Sequence, residues 1–191
     1  MPSKTSVDRS RARKSSPRVA GNRAAASRAP RGARDGEGAE AERRERVVDV
    51  LNQLLADCLD LGMQLKQAHW NVKGPHFSAL HALFDESWET VTAFTDELAE
   101  RIVALGGVAK GTLQSVAQGS RLKPYPADMH SGICHAATLS VALIGYGRSI
   151  RLAINVCEEA REPGSADVCT GISRKTDEIT WKIGAHLQGM A

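Results

Sequence analysis

The sequence predicts an all-α protein: a bundle of four long helices with one short helix in the long connection at its middle. Three observations predict this fold class. Apolar residues recur at three- and four-residue steps through four long stretches. Breaks containing glycine and proline separate those stretches. No stretch shows the sustained alternation of a strand. With 191 residues, 42% of them apolar, the chain has room for one domain with a substantial core.

The first two helices are predicted over residues 42–71 and 78–105. One face of the first helix is apolar, and it is formed by Val47, Val50, Leu51, Leu54, Leu55, Cys58, Leu61 and Leu65. Gly74-Pro75 separates the two helices, and Gly106-Gly107 ends the second. The apolar face of the second helix includes Leu80, Phe84, Trp88, Val91, Leu98 and Ile102. Two long helices joined by a short turn are expected to pack against each other.

Past Gly107 a long connection holds the short helix, predicted over residues 113–117, and leads to two more long helices. The third, residues 127–161, is apolar nearly all round, which is typical of a helix buried in a bundle or an assembly. The fourth, residues 166–187, follows a break at Pro163-Gly164, with Ser165 as its predicted N-cap. Short first and third turns around a long middle crossover describe a ferritin-like four-helix bundle over residues 41–191.

Residues 1–40 are predicted to be a disordered basic tail, since they are rich in Arg, Ser, Ala, Gly and Pro and poor in large apolar side chains. Residues 1–34 have ten basic residues and one acid, a formal charge of +9, which leaves −6 for the rest of a chain whose net charge is +3. A basic tail on an acidic body indicates a nucleic-acid or membrane-surface partner. The basic residues are Lys4, Arg9, Arg11, Arg13, Lys14, Arg18, Arg23, Arg28, Arg31 and Arg34.

Phosphate neutralisation by these residues favours DNA as the partner, and the lack of aromatic side chains predicts binding without sequence preference. Two alternatives stay open: a merely solvated charge run, and an organelle transit peptide, against which the absence of Leu and Phe counts. Four widely spaced cysteines and the absence of an apolar signal or membrane-spanning segment predict a cytoplasmic protein with free thiols.

Two histidines and two carboxylates in the first two predicted helices are candidate metal ligands: His69, His81, Asp96 and Glu100. Imidazole and carboxylate are the ligand types that a borderline transition metal such as iron accepts. Asp96 lies fifteen residues after His81 on one predicted helix, roughly 22 Å along its axis. One metal ion cannot bridge that distance. Either these residues are unrelated polar groups, or the site forms between two antiparallel copies of the chain around a two-fold axis.

Three segments around these residues carry a long and specific pattern: His69-Trp70-Asn71-Val72-Lys73-Gly74-Pro75-His76-Phe77, Leu80-His81-Ala82-Leu83-Phe84-Asp85-Glu86, and Asp96-Glu97-Leu98-Ala99-Glu100-Arg101-Ile102. The pattern resembles the signature of the Dps family, the DNA-binding mini-ferritins of starved bacteria. The resemblance continues through residues 122–126 and 172–187, so it covers the whole predicted bundle.

The resemblance implies a dodecameric shell with a ferroxidase site at each two-fold dimer interface. One subunit would supply His69, His81 and, more weakly, Asp85, and its mate would supply Asp96 and Glu100. Trp70 matches an aromatic residue that the family keeps near the iron. The family oxidises Fe(II) with hydrogen peroxide in preference to oxygen, stores the ferric product, and binds DNA through basic termini. The expected location is therefore the cytoplasm, in association with the nucleoid.

Two features bear on how far the resemblance extends. No Glu stands three residues before any of the six histidines, which counts against a di-iron site inside one subunit. The turn before the last helix, where the family often has several acids lining an iron pore, offers only Glu162 and Asp167. Two other functions stay open: a structural nucleoid protein whose metal site is vestigial or holds zinc, and a mini-ferritin whose tail serves assembly alone.

Overall fold

The computed structural model describes residues 31–188 of the chain, and describes side chains from residue 38 onward. This part of the chain folds into five helices in the predicted order, with four long helices and one short one. They are α1 (Arg31–Asn71), α2 (Phe77–Ala104), α3 (Leu113–Gly119), α4 (Gly132–Glu159) and α5 (Pro163–Ala185). The predicted all-α, ferritin-like bundle with a short helix in its crossover is confirmed.

The helices pack as two antiparallel hairpins, α1 with α2 and α4 with α5, around one apolar core. The core side chains recur at the predicted three- and four-residue steps, and the largest fully buried ones include Leu51, Leu61, Phe84, Leu139 and Tyr146. The short helix α3 lies against α1. Its N-cap is Thr112, whose hydroxyl accepts a hydrogen bond from the Ser115 amide at 3.3 Å.

Three predicted helix boundaries were wrong. Helix α1 begins at Arg31 rather than near Glu42, so the last part of the predicted tail continues the helix. Helix α4 begins at Gly132 instead of residue 127, because the backbone before it pairs with the turn after α1: the Lys73 amide donates to the His130 carbonyl at 2.9 Å. Helix α5 begins at Pro163, whose fixed φ and missing N–H suit the first position of a helix.

Ser165 is therefore not the N-cap of the last helix. It lies inside the first turn of α5, fully buried, where its hydroxyl accepts a hydrogen bond from Arg101 Nε at 2.9 Å and donates one to Glu162 at 3.0 Å. The N-cap position belongs to Glu162, whose side chain makes no capping bond. The sequence signal for a cap was the residue type, and a long-range arginine uses that hydroxyl instead.

A close contact fixes the α4 start against the α1–α2 end of the bundle. A Cβ on Gly132 would lie 2.6 Å from Leu80 Cδ1, which means that only glycine lets α4 approach the first turn of α2 so closely. The bridge between Lys73 and Ser131 holds the same region together. The turn that separates the two candidate histidines is therefore clamped by the crossover. None of the helices in the described range combines the length and apolarity that crossing a membrane requires.

Candidate metal centre

His69 and His81 face each other across the α1–α2 hairpin, and each ring bonds to the backbone of the other residue. Nδ1 of His69 lies 2.8 Å from the carbonyl oxygen of His81, and Nδ1 of His81 lies 2.9 Å from the carbonyl oxygen of His69. Because a carbonyl only accepts, both Nδ1 atoms carry the proton. The neutral tautomer therefore leaves Nε2 of each ring with a lone pair for an outside ligand.

The chain supplies the two carbonyl acceptors for different reasons. His69 stands in the last turn of α1, and the amide of Lys73, which would continue that helix, donates to His130 instead. The His69 carbonyl is thus one of the unpaired groups that a helix end leaves, and the His81 ring satisfies it. The His81 carbonyl lies inside α2 and accepts the His69 ring with its second lone pair. Such carbonyl bonds fix the tautomer and orientation of metal-binding histidines.

Ring stacking holds the pair in place. The two imidazole centroids are 3.8 Å apart with planes inclined by 22°, and the Phe77 ring stacks on His81 at 5.0 Å. Both histidines are partly exposed, whereas the neighbouring Leu65, Ala68, Leu80 and Phe84 are fully buried. The pair therefore sits on a rigid apolar floor at the surface of the protomer.

Asp85 lies one helical turn after His81, on the same side of α2. It is held in an ion pair by the ammonium of Lys66, which also lies 3.9 Å from the centroid of the Trp88 ring. The hydrogen bond from Lys66 holds the pKa of Asp85 below its ordinary value, and the two nearby histidines act in the same direction. Lys66 was not predicted as part of the site. Its position three residues before His69, on the same helix face, is the sequence signal that could have found it.

Asp96 and Glu100 lie elsewhere on the protomer. Both are exposed on α2, and α2 is one continuous helix from Phe77 to Ala104. Their separation from His81 is therefore the roughly 22 Å expected from the helix rise. Among the side chains of residues 38–188, no three His, Cys, Asp or Glu residues of one protomer gather as ligands for a metal ion.

The remaining predicted site residues have varied surroundings. Trp70 is 62% exposed. Glu162 forms an ion pair with Arg101 and accepts the Ser165 hydroxyl, so its carboxylate is occupied, whereas Asp167 is exposed. The tail residues Lys4 to Arg28 lie outside the described residues. Arg31 and Arg34 fall in the first turn of α1, where the structure describes no side chains.

The fold and the histidine hairpin together place this protein in the class of ferritin-like bundles. A family model described as a ferritin-like domain matches residues 48–191. The "DNA protection during starvation protein" of Agrobacterium fabrum is 41% identical over 142 residues, which cover 74% of this chain and 88% of that protein. The protein of the same name from Mycolicibacterium smegmatis is 31% identical over 74% of this chain and 77% of its own length.

Solved structures agree with these sequence matches. DpsA14 from Streptomyces coelicolor is similar with a TM-score of 0.75 and 34% identity, covering 78% of this chain and 88% of that one. A Dps protein from Bacillus brevis has a TM-score of 0.74 and 26% identity, covering 77% and 98% of the two chains. The chain belongs to the Dps family.

Proposed function

We propose that this protein is a DNA-protecting mini-ferritin that oxidises Fe(II), with hydrogen peroxide as the oxidant, at sites shared between two protomers. It stores the ferric product inside a dodecameric shell. The observation that carries the proposal is the reciprocal bonding of His69 and His81, because it leaves one imidazole nitrogen on each ring free to bind a metal ion. Membership of the Dps family, with relatives named for DNA protection, supports the same function.

In this proposal the two halves of the site do different work. His69 and His81 bind Fe(II) through Nε2, and Asp96 with Glu100 of a second copy complete the site. The carboxylates favour Fe(III) over Fe(II), and the small number of protein ligands leaves positions open for peroxide. Two Fe(II) ions each give one electron to one peroxide, whose O–O bond breaks to give water or hydroxide. Two electrons delivered to one peroxide release no hydroxyl radical.

Asp85 is a weaker ligand than the histidines in this scheme because the Lys66 ammonium already occupies its carboxylate. An iron ion that used Asp85 would have to displace that ammonium. We therefore assign Asp85 a secondary role, in which it accepts iron after the histidine position is filled.

Exposed apolar side chains support an assembly of protomers. Met63 and Trp70 are 54% and 62% exposed on either side of the candidate site along α1. On α4, which the sequence predicted to be buried in a bundle or an assembly, Val141, Ile144 and Leu152 are also exposed in the single protomer. Large apolar side chains left uncovered on several faces are typical of subunits that bury them against one another.

The basic tail supplies the DNA contact in this proposal. A formal charge of +9 on residues 1–34 neutralises phosphates without reading bases, and many tails on one shell act together. The remainder of the chain carries −6 and is repelled by DNA. The protein would then lie in the cytoplasm on the nucleoid, where it removes iron and peroxide beside the DNA.

Iron oxidation tests the site. Iron-free protein is given Fe(II) without oxygen, then peroxide, and the ferric absorbance is followed. The His69→Ala/His81→Ala variant and the Asp96→Ala/Glu100→Ala variant should both lose rapid oxidation, while His186→Ala, a histidine far from the site in sequence, should keep it. If the wild type turns over no Fe(II) yet compacts DNA, the protein is a structural nucleoid protein instead.

Mixing the two double variants tests whether the site is shared. A mixed two-fold dimer has one site with both halves intact and one with neither. After unfolding and refolding together, the mixture should recover part of the wild-type rate, whereas each variant refolded alone should not. No recovery in a mixture whose subunits have demonstrably exchanged would place both halves of the site in one protomer.

DNA binding is tested with the full chain and a chain lacking residues 2–34. The full chain should retard plasmid DNA with a steep loss of affinity as salt rises, and the truncated chain should not retard it. A full-length variant with the ten basic tail residues changed to Gln separates charge from length. Sedimentation of the truncated chain decides whether the tail serves assembly, since that role predicts dimers.

A further inference from the structure

Two of the four cysteines meet inside the α4–α5 hairpin. Cys157 lies in the last turn of α4 and Cys169 lies in the second turn of α5, and both are fully buried. Their thiols are hydrogen-bonded to each other, with Cys169 donating to Cys157. The short turn between the two helices, residues 160–162, keeps the two thiols together whenever the hairpin is formed.

The residues around the thiols favour a close approach of the two helices. On α4, Ala153 and Ala160 share the face of Cys157, and on α5 the buried Ser165 and Ala166 precede Cys169. Small side chains at a helix contact allow the backbones to lie near each other. A disulfide needs such an approach because its two Cα atoms are usually about 4.4–6.8 Å apart.

A cation lies beside the pair. Arg101, which binds Glu162 and Ser165 at this end of the bundle, acts on Cys157 together with the hydrogen bond from Cys169. The hydrogen bond from Cys169 and the charge of Arg101 hold the pKa of Cys157 below the ordinary value of a thiol, although Glu162 and Glu158 oppose them. The thiolate is the nucleophilic form of cysteine, so Cys157 is the better attacking sulfur and Cys169 the resolving one.

We propose that Cys157 and Cys169 are a peroxide-oxidised dithiol that closes to an intrasubunit disulfide. The Cys157 thiolate attacks hydrogen peroxide, which breaks the O–O bond, gives a sulfenic acid and releases hydroxide. The Cys169 sulfur then displaces the sulfenic hydroxyl, which leaves as water, and its own proton is lost. In sum, two thiols and one peroxide give one disulfide and two waters, and a cellular thiol reductant reverses the change.

The other two thiols lack these features. Cys58 is equally buried but bonds to the Val91 carbonyl at 3.4 Å and lies 3.6 Å from the Thr95 hydroxyl; burial raises its pKa to about 11. Cys134 is exposed on the first turn of α4. The chain therefore contains its own controls: one buried single thiol and one exposed single thiol.

The experiment uses the full-length, iron-free, reduced protein, so its outcome does not depend on the proposed ferroxidase function. After treatment with hydrogen peroxide, remaining thiols are alkylated and the protein is digested without reductant. A peptide joining Cys157 to Cys169 should appear, with a loss of about 2 Da because two hydrogens leave. Added dithiothreitol should restore both thiols.

Three variants decide the assignment. Cys58→Ser and Cys134→Ser should each keep the joined peptide, and Cys157→Ser should abolish the loss of mass and leave Cys169 reduced. Equal formation of the joined peptide in urea and in the folded protein would overturn the proposal, since the fold would then contribute nothing. So would a folded protein in which peroxide modifies only Cys134.

Discussion

The two ends of the bundle hold polar residues in opposite states. At the α1–α2 end, His69 and His81 use Nδ1 on each other's backbone and keep Nε2 for an outside ligand. At the α4–α5 end, Glu162 is paired with Arg101 and also accepts a hydroxyl, so its carboxylate is already occupied. The sequence marked both ends as possible metal-facing regions. The difference shows that unused coordinating atoms, rather than residue types, distinguish a binding site from a structural cluster.

The largest effect should come from the α1–α2 end. His81→Ala should slow peroxide-driven Fe(II) oxidation on the order of 100-fold, because loss of even a supporting partner can cost a metal site that much. Its melting temperature should change little, since the ring is partly exposed and lies outside the apolar core. Stopped-flow absorbance and calorimetry on the same preparation measure the two quantities. A variant that melts far lower while oxidising iron normally would reverse the roles assigned to the two ends.

The α4–α5 end should behave in the opposite way. Arg101→Ala should lower the free energy of unfolding by about 2 kcal/mol, because it leaves the Glu162 charge and the buried Ser165 hydroxyl without their partner. Iron oxidation per folded protein should stay near the wild-type value. The matched control is Arg151→Ala: its ion pair with Asp177 is 3.4 Å long and exposed, so its loss should cost less than about 0.5 kcal/mol.

A smaller effect is expected from the hydrogen bond that holds the crossover to α4. The Tyr125 hydroxyl lies 2.6 Å from Nδ1 of His135, which is fully buried. Tyr125→Phe should cost about 1 kcal/mol of unfolding free energy, since it leaves a buried nitrogen without its partner. Urea denaturation measures it. No loss of stability would mean that water replaces the hydroxyl at this position.

The sequence predicted the helices well and their ends poorly, for a physical reason. Apolar periodicity reports which face of each helix is buried, and the predicted faces match the core. Helix ends depend on long-range partners: His130 takes the Lys73 amide before α4, and Arg101 takes the Ser165 hydroxyl in α5. Neither partner is visible from local residue types.

The candidate site divides in the same way. The length of α2 already required a second copy to complete the site, because helix rise is a local property. The tautomers of His69 and His81, and the ammonium on Asp85, depend on contacts between α1 and α2. Spacing alone could not reveal them.

The smallest effect concerns pH and separates His135 from the two candidate ligands. Burial holds the pKa of His135 below its ordinary value, so the folded protein resists protonating it. As the pH falls below about 6.5, the ordinary value for histidine, the unfolded chain binds a proton that the folded chain does not. Stability should therefore decline as pH falls from about 6.5 toward the lowered pKa.

The His135→Gln variant isolates this contribution, because Gln can still accept the Tyr125 hydroxyl but does not titrate. Denaturation at a series of pH values between 8 and 5, the range that brackets histidine titration, should give a shallower decline for the variant than for the wild type. The two curves should run parallel above pH 7 or so, where histidine is neutral in both states. Identical slopes down to pH 5 would show that His135 is protonated as easily in the folded protein as in the unfolded chain. In that case it would resemble the open histidines at the same end of the bundle rather than a structural one.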